Sequence, residues 1–550
     1  MPTINGLLLR TLTALSVLAA LLAPVPATAQ PKPLEGLPEK LGKVDFPISC
    51  NAAAQAQFTR GVALYHSYYW SEARKSFAAT LAADPDCAMA HWGEAIVTMG
   101  NAFAWPLRGN ALAQGAVTIT RAKALGAKTQ RERDYIAAAE AFYANADKVP
   151  ARTRQLAYEV MLEKMTRDYP SDTEAVIFHA HVVSANYDPN DKSYSNQLRA
   201  AAILEKLYIE LPDHPGVAHY LIHSYDFPPL AERGLKAAQR YRTVAPSAPH
   251  ALHMPSHTFT RLGYWQDSIS SNQSVLAITK DLVSRLHSLD YMAYAHLQLG
   301  QDRAADAVYS EIRSITDKIE GDTLFAAAYA LAAIPARVAI ERARWQDAAK
   351  LTLVPDELAF GWDVFPQARA IHVYGRGLGA ARSGDVAAAR GAISQLAKLR
   401  QDMVDGGLRY WADQTDIQIK ALEAWALHAE GKQDEALRMM RAAADHEDST
   451  DKSAVTPGPI KPARELLGEM LFAAKQPAQA LTEFEAAMKK EPGRFRALLG
   501  AARAAEAAGD RGKSREYFER LAKQWDGADQ DFAELGRVKQ ALLATSAAKQ

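Results

Sequence analysis

Apolar residues recur at helical spacing along nearly the whole chain, whereas alternating runs of β-branched residues are rare. Apolar positions three to four residues apart lie on one face of an α-helix. Alanine, the strongest helix former, is abundant throughout. The pattern therefore predicts an all-α protein.

Small, aromatic and proline residues also recur in a fixed order, which predicts paired helices. In the tetratricopeptide helix–turn–helix unit of 34 residues, small residues let the two helices approach, an aromatic ring fills the gap and a proline closes the unit. Each unit cannot bury its apolar face alone, so we expect a tetratricopeptide-like helical-hairpin solenoid, a right-handed superhelix. The clearest matches are Gly61, Leu64, Ala73, Phe77, Thr80 and Pro85; Gly468, Leu471, Ala480, Phe484, Ala487 and Pro492; and, 34 residues later, Ala502, Ala505, Ser514, Phe518 and Leu521.

Breaks in this pattern predict the domain organisation. Segments rich in polar residues and proline interrupt the repeats, and such composition is typical of loops and linkers. The predicted boundaries are a signal peptide at 1–29, an extended lead at 30–50, a helical array at 51–448 with divergent units at 101–191, a linker at 449–461, further repeat units at 462–543, and a frayed tail at 544–550.

The N-terminus predicts export. Arg10 precedes an apolar run from Leu12 to Ala23, and the small residues Ala27-Thr28-Ala29 suit cleavage near Ala29. The apolar run is too short for a membrane anchor, and we find no other segment with the roughly 20 apolar residues of a membrane span. We therefore expect a periplasmic or secreted protein.

Charge and cysteine content narrow the function classes. Basic and acidic residues are balanced at 63 each, so the overall charge does not attract nucleic acid or an anionic membrane surface. Cys50 and Cys87 are the two cysteines of the sequence. In an oxidising compartment they could form a disulfide; the alternative is two buried thiols.

Two histidine pairs one repeat apart carry the strongest functional signal. His219 and His223 are four residues apart, as are His253 and His257, and each member of the first pair lies 34 residues before its counterpart. Side chains four residues apart share one face of a helix. The repeat phase places all four on the concave groove, with Asp226 and His250 at further groove-facing positions.

These residues predict a binding site for a polar ligand, with a metal ion as one candidate. Imidazole is the commonest transition-metal ligand, so His219, His223, His253 and His257 could hold Zn or Cu. The alternatives are a small polar ligand or a peptide in the groove, or histidines copied by repeat duplication without a metal. Pro255 could start a new helix and swing His250 and His253 out of the array. The repeat phase places His287 second in its unit, like His250, so we expect it near the site but outside the row of four.

Catalytic motifs are missing from the sequence. Neither pair has the glutamate that directly follows the first histidine in zinc-protease helices, and there is no nucleophile elbow or phosphate loop. Asp226 could still act as a base, which leaves a metal-dependent hydrolase as an alternative to a binding protein. A protein-binding scaffold with no metal is the third hypothesis.

Several stretches between Cys50 and about Asn272 resemble a group of exported bacterial tetratricopeptide-repeat proteins. The resemblance lies in residues 84–93 (DPDCAMAHWG), in 214–223 (HPGVAHYLIH), and in 253–257 (HMPSH) with Gly263 and Trp265. It implies an exported helical solenoid and supports the histidine segments as a signature. It implies no particular reaction.

Overall fold

The computed structural model describes residues 38–107, 109–315, 318–319, 324–355 and 360–547. Within these ranges the regular structure is entirely helical, which confirms the predicted all-α class. The predicted signal peptide and its cleavage site near Ala29 lie outside the described residues. Residues 38–50 are non-helical, as predicted for the second half of the N-terminal lead.

The first nine helices form antiparallel pairs around one hydrophobic core. Phe77 shows how neighbouring helices fit together: a Cβ at Gly61 would lie 2.7 Å from its ring, and a Cβ at Gly93 only 2.3 Å away. The glycines therefore let three helices close on one aromatic ring, as the repeat pattern predicts. These helices are α1 (Ala52–His66), α2 (Trp70–Ala83), α3 (Ala88–Met99), α4 (Ala111–Leu125), α5 (Gln130–Tyr143), α6 (Ala151–Asp168), α7 (Thr173–Ala185), α8 (Ser195–Glu210) and α9 (Pro215–Tyr225).

The middle of the chain continues the stack and contains one unusually apolar helix, α16. This helix is long and apolar enough to cross a membrane, with a mean hydropathy of 1.5, but 83% of it is buried inside the protein. Such burial is typical of a core helix. The helices here are α10 (Leu235–Val244), α11 (Pro249–His253), α12 (Pro255–Leu262), α13 (Trp265–Ile278), α14 (Leu282–Gln298), α15 (Asp302–Arg313), α16 (Leu324–Glu341) and α17 (Trp345–Ala349).

The C-terminal helices repeat the packing of the first unit. Phe484 lies between Gly468 and Gly500, where an added Cβ would come within 2.8 and 2.4 Å of its ring. The last helix runs to Ala547, so most of the predicted tail at 544–550 is helical. These helices are α18 (Pro366–Arg382), α19 (Val386–Asp405), α20 (Arg409–Ala429), α21 (Gln433–Asp448), α22 (Ala463–Ala473), α23 (Pro477–Lys490), α24 (Phe495–Ala507), α25 (Arg511–Gln524) and α26 (Ala533–Ala547).

The C-terminal repeats pack back onto the middle of the chain. The buried guanidinium of Arg494 pairs with Glu465 at 2.6 Å and donates to the Tyr294 hydroxyl at 2.8 Å. The Trp265 indole donates to the carbonyl of Gly493 at 3.2 Å. The solenoid therefore closes on itself, and two hydrophobic cores meet between α12 and α14.

Residues 449–462, which we call the strap, connect α21 to α22 without helical structure. Composition predicts a linker at 449–461, yet Thr456, Ile460 and Lys461 are buried. Arg337 of α16 donates to the strap carbonyls of Gly458 and Pro459 at 2.9 and 3.0 Å. The strap is therefore part of the protein interior rather than a solvated connection.

A disulfide joins Cys50 of the N-terminal lead to Cys87 at the start of α3. Their Cα atoms lie 5.5 Å apart. The lead is also anchored by Ser49, whose backbone N–H and hydroxyl donate to the carboxylate of Glu132 at 2.6 and 2.5 Å. These contacts hold the extended lead against α3 and α5.

Candidate metal centre

The predicted histidines converge on the junction between the two hydrophobic cores. Helix α9 supplies His219 and His223; its N-terminus is set by Pro215 and by the His214 ring, which accepts from the Gly216 N–H at 3.1 Å. Helices α11 and α12 supply His250, His253 and His257. All but the half-buried His250 are buried.

Pro255 begins α12, as the sequence predicts, but it does not displace the preceding histidines. Met254, between the two helices, keeps right-handed helical angles of φ −52° and ψ −36°. Its N–H donates to the His250 carbonyl at 2.9 Å, and the N–H of His257 donates back to the Met254 carbonyl at 3.1 Å. The prediction that the proline moves His250 and His253 away is therefore wrong.

Two triads of imidazoles form, rather than one square of four. The first triad is His219, His223 and His250; the second is His253, His257 and His287. In each triad, one nitrogen from every ring lies within 4.8 Å of the others. Three coordinating nitrogens at such spacing suit a single transition-metal ion.

Hydrogen bonds in the second triad decide which ring nitrogens carry protons. His257 Nδ1 lies 3.0 Å from the Asp226 carboxylate, and His253 Nδ1 lies 2.7 Å from the Asn272 side-chain oxygen. The Asn272 amide is oriented by its own donation to the Ser268 carbonyl at 2.8 Å. Because these oxygens can only accept, both Nδ1 atoms carry the proton.

The two remaining nitrogens of this pair face each other. His253 Nε2 and His257 Nε2 are 3.1 Å apart, and each presents a lone pair. The Tyr291 hydroxyl, 3.3 Å from His257 Nε2, also lies 3.2 Å from the Thr456 carbonyl. Two acceptors in contact need a cation between them. Nitrogens bound to one tetrahedral metal at 2.0–2.1 Å lie about 3.3 Å apart, close to the observed separation.

The first triad is arranged in a similar way. His219 Nδ1 donates to the backbone carbonyl of His66 at 2.6 Å, so its Nε2 offers a lone pair, and this atom lies 3.1 Å from His250 Nε2. His223 Nε2 is buried and, among the described residues, meets no hydrogen-bond partner. The ring of His223 stacks on Phe103 with centroids 4.2 Å apart. A buried nitrogen without a partner is costly unless a ligand occupies it.

Electrostatics keep these rings neutral and therefore able to coordinate. Burial, reinforced by neighbouring imidazoles, holds the pKa values of His219 and His223 well below the ordinary histidine value. The same causes act on His250, His253 and His287. Burial also lowers the pKa of His257, against the opposing effect of Asp226. Protons are thus poor competitors for these nitrogens near neutral pH.

Asp226 is the negatively charged residue that orients the second triad. Burial opposes its ionisation, but the cationic Lys452 and Arg261 hold its pKa well below the ordinary range. Arg261 Nε donates to Oδ1 at 2.8 Å, and Lys452 of the strap lies 3.4 Å from Oδ2. Burial and Arg261 together lower the pKa of Lys452 to about 8. A carboxylate bonded to the outer nitrogen of a ligand imidazole is typical of metal sites.

A third cluster, His66, Glu174 and His214, is geometrically similar but satisfied by the protein. Glu174 binds His66 Nε2 and His214 Nε2, both at 2.9 Å. His66 Nδ1 lies 2.9 Å from the Tyr220 hydroxyl. Although burial opposes it, the two histidines lower the pKa of Glu174 to about 2. This cluster supports the first triad, because the His66 carbonyl orients His219.

The sequence missed several residues of this centre. His287 lies 4.3 Å from His253, centroid to centroid, although repeat phase excluded it from the row. The same phase puts His287 and His250 at equivalent places, and each is the half-buried third member of its triad. No sequence pattern indicated a role for Asn272, Tyr291 or Lys452.

Comparisons with known proteins add little to this geometry. No protein-family model matches the chain, and no curated protein matches it. The crystal structure of yeast Tom70 has 11% identity and a TM-score of 0.29, covering 90% of this chain and 96% of that one. The human IFIT1 dimer with m7Gppp-AAAA has 11% identity and a TM-score of 0.35, covering 80% and 90%.

Naa15/Naa10 bound to HypK-THB has 11% identity and a TM-score of 0.23, covering 90% of this chain and 74% of that one. TM-scores this low carry no functional argument. The fold is therefore assigned from the helix pairing itself, which is that of a tetratricopeptide-like helical-hairpin solenoid.

Proposed function

We propose that this chain is an exported metalloprotein that binds transition-metal ions at the two histidine triads. The observation that carries the proposal is the contact between His253 Nε2 and His257 Nε2 at 3.1 Å, with both Nδ1 atoms committed to acceptor oxygens. A proton between them would relieve the repulsion, but burial disfavours the charged imidazole. A metal ion also relieves it, and its bonds to several ligands at once offset the cost of burying its charge.

The ligand set favours Zn or Cu. An all-imidazole site suits these ions, whereas Mg and Ca prefer oxygen ligands. Each triad supplies three nitrogens, which leaves at least one coordination position for water or another small ligand. The burial of five of the six predicted residues favours a small ligand here over a peptide, which would need an open groove.

Export is the second part of the proposal. It is supported by the charged and apolar pattern of residues 1–29 and by the disulfide between Cys50 and Cys87, since disulfides persist in oxidising compartments. Metal sites of this kind would load in the periplasm or outside the cell. Signal-peptide cleavage is tested by N-terminal sequencing of protein recovered from the periplasm, which should begin near Gln30.

A metal-dependent enzyme is the second candidate function, favoured by the three-ligand geometry. Catalytic zinc sites keep three protein ligands and an open position, whereas structural sites are closed by four. Asp226 is an unsuitable base here, because Arg261, Lys452 and His257 already occupy its oxygens. The reacting group would be a metal-bound water that needs no carboxylate base to ionise near neutral pH.

Elemental analysis of purified, untagged mature protein tests the proposal. Wild type should retain Zn or Cu, while the double variant His219→Ala/His253→Ala, shown folded by circular dichroism, should lose it. His372→Ala removes a buried imidazole of α18 that belongs to neither triad and is the matched control. Substoichiometric metal that is the same in all three proteins would overturn the proposal.

A further inference from the structure

The six imidazoles of the two triads form one continuous cluster. In the first triad, His219 lies 4.8 Å from His223 and 4.9 Å from His250, centroid to centroid. In the second, His253 lies 4.3 Å from His287 and 5.0 Å from His257. Across the triads, His223 lies 6.1 Å from His257, and His250 lies 6.0 Å from His253. These two contacts between triads are thus only about 1 Å longer than the His253–His257 contact within the second triad.

We infer that the two triads hold a single dinuclear centre, in which both metal ions share a small bridging anion. This inference rests on the proposed function and adds that the ions act as a pair. Two-metal sites place their ions about 3.5–4 Å apart, and the two triads adjoin through His223 and His257 and through His250 and His253. Each triad consists of three imidazoles, so its ligands are neutral and two divalent ions would bring four uncompensated positive charges.

That charge needs an anion between the metals. Asp226, the carboxylate in contact with the second triad, binds the outer nitrogen of His257 and two cations, so it faces away from the metal position. The bridge therefore comes from solvent. A water molecule held by both ions would release one proton to bulk solvent and remain as hydroxide, which would lower the net charge of the centre by one.

Access to the bridging position is limited to small ligands. Among the six imidazoles, the half-buried pair is His250 and His287, one from each triad, whereas the other four are buried. Phe103, half-buried on the short turn Ala102–Ala104, covers His223. The ligand class of the centre is accordingly a small anion of one to three atoms, such as hydroxide or azide, that can contact both metals.

Loading the mature protein with two equivalents of Cu(II) tests whether the two metal ions form one dinuclear centre. We expect two copper ions per chain and an electron paramagnetic resonance signal that integrates to far less than two spins, or that broadens and shows a half-field transition. Azide should change the optical spectrum of the wild type. The variant His250→Ala, which leaves the second triad complete, should bind one copper with a full, isolated signal, while His372→Ala should behave as wild type.

The possible failures are distinguishable. Two bound coppers that integrate to two isolated spins would overturn the dinuclear centre and leave the metal sites intact, as would one copper per wild-type chain. Wild-type protein that binds no Cu(II) and no Zn(II) would overturn the proposed function itself.

Discussion

Replacing Asp226 with asparagine separates metal binding from general stability. In the native site, Oδ1 accepts from Arg261 and Oδ2 accepts from His257 Nδ1. An asparagine keeps one acceptor and turns the other oxygen into an N–H donor. If it retains the Arg261 contact, its amide faces the His257 N–H, and the ring must move its proton to Nε2. The lone pair that His257 Nε2 contributes to the second triad is then lost.

The expected magnitudes follow from the burial of these groups. Loss of a partner to a ligand imidazole typically weakens metal binding 10–100-fold, or about 1.4–2.7 kcal/mol. Breaking a buried ion pair costs about 3–5 kcal/mol of stability. We expect the loss of stability in Asp226→Asn to fall at the lower end of this range. Lys452, whose pKa is already lowered to about 8, can release its proton when the carboxylate is gone.

The control is Asp290→Asn in α14. Asp290 is as buried as Asp226 and pairs with Arg337 at 2.8 Å, but it belongs to neither triad. Metal affinity is measured by competition with a chromophoric chelator, and stability by urea unfolding with EDTA present. Both variants should lose stability, and Asp226→Asn alone should lose affinity. Equal, unchanged affinity in both variants would refute the assigned role of His257 Nε2.

Three further predictions concern stability. Saturating the centre with metal at 100 times its dissociation constant should raise the unfolding free energy by about 2.7 kcal/mol per independent site, and EDTA should remove this gain in a thermal melt. Burial of His181 against Tyr220 lowers its pKa to about 3, so the stability present above about pH 6.5 is lost as the pH falls. In urea titrations with EDTA, His181→Phe should therefore lose about 2 kcal/mol less stability than wild type between pH 8 and pH 5. An unchanged pH dependence would contradict this. Cys50→Ser should cost about 3–4 kcal/mol under oxidising conditions and nothing relative to wild type in reductant, for a cross-link spanning 37 residues.

Much of this centre could be predicted from the sequence, because residues one repeat apart occupy equivalent places on neighbouring helix pairs. The 34-residue period brought the histidine pairs of α9, α11 and α12 into one cluster, although His219 and His253 belong to different triads. The same period placed His287 near the site but outside the row, whereas the contacts of α14 with α11 and α12 bring it into the second triad.

The remaining features depend on contacts that no local pattern encodes. Lys452 reaches Asp226 across 226 residues, because the C-terminal repeats fold back and carry the strap into the interior. The period specifies how neighbouring helices stack but not how tightly the superhelix closes. An open groove was therefore expected where the structure has a buried centre, and a linker where it has a buried strap.

The most direct test of the two-triad account is the metal content of mature wild-type protein after reconstitution and exhaustive dialysis, measured with protein concentration from amino-acid analysis. Two equivalents of Zn or Cu per chain, falling in His219→Ala/His253→Ala and retained in His372→Ala, are the predicted result. Less than half an equivalent in wild type, unchanged by the double substitution, would contradict it.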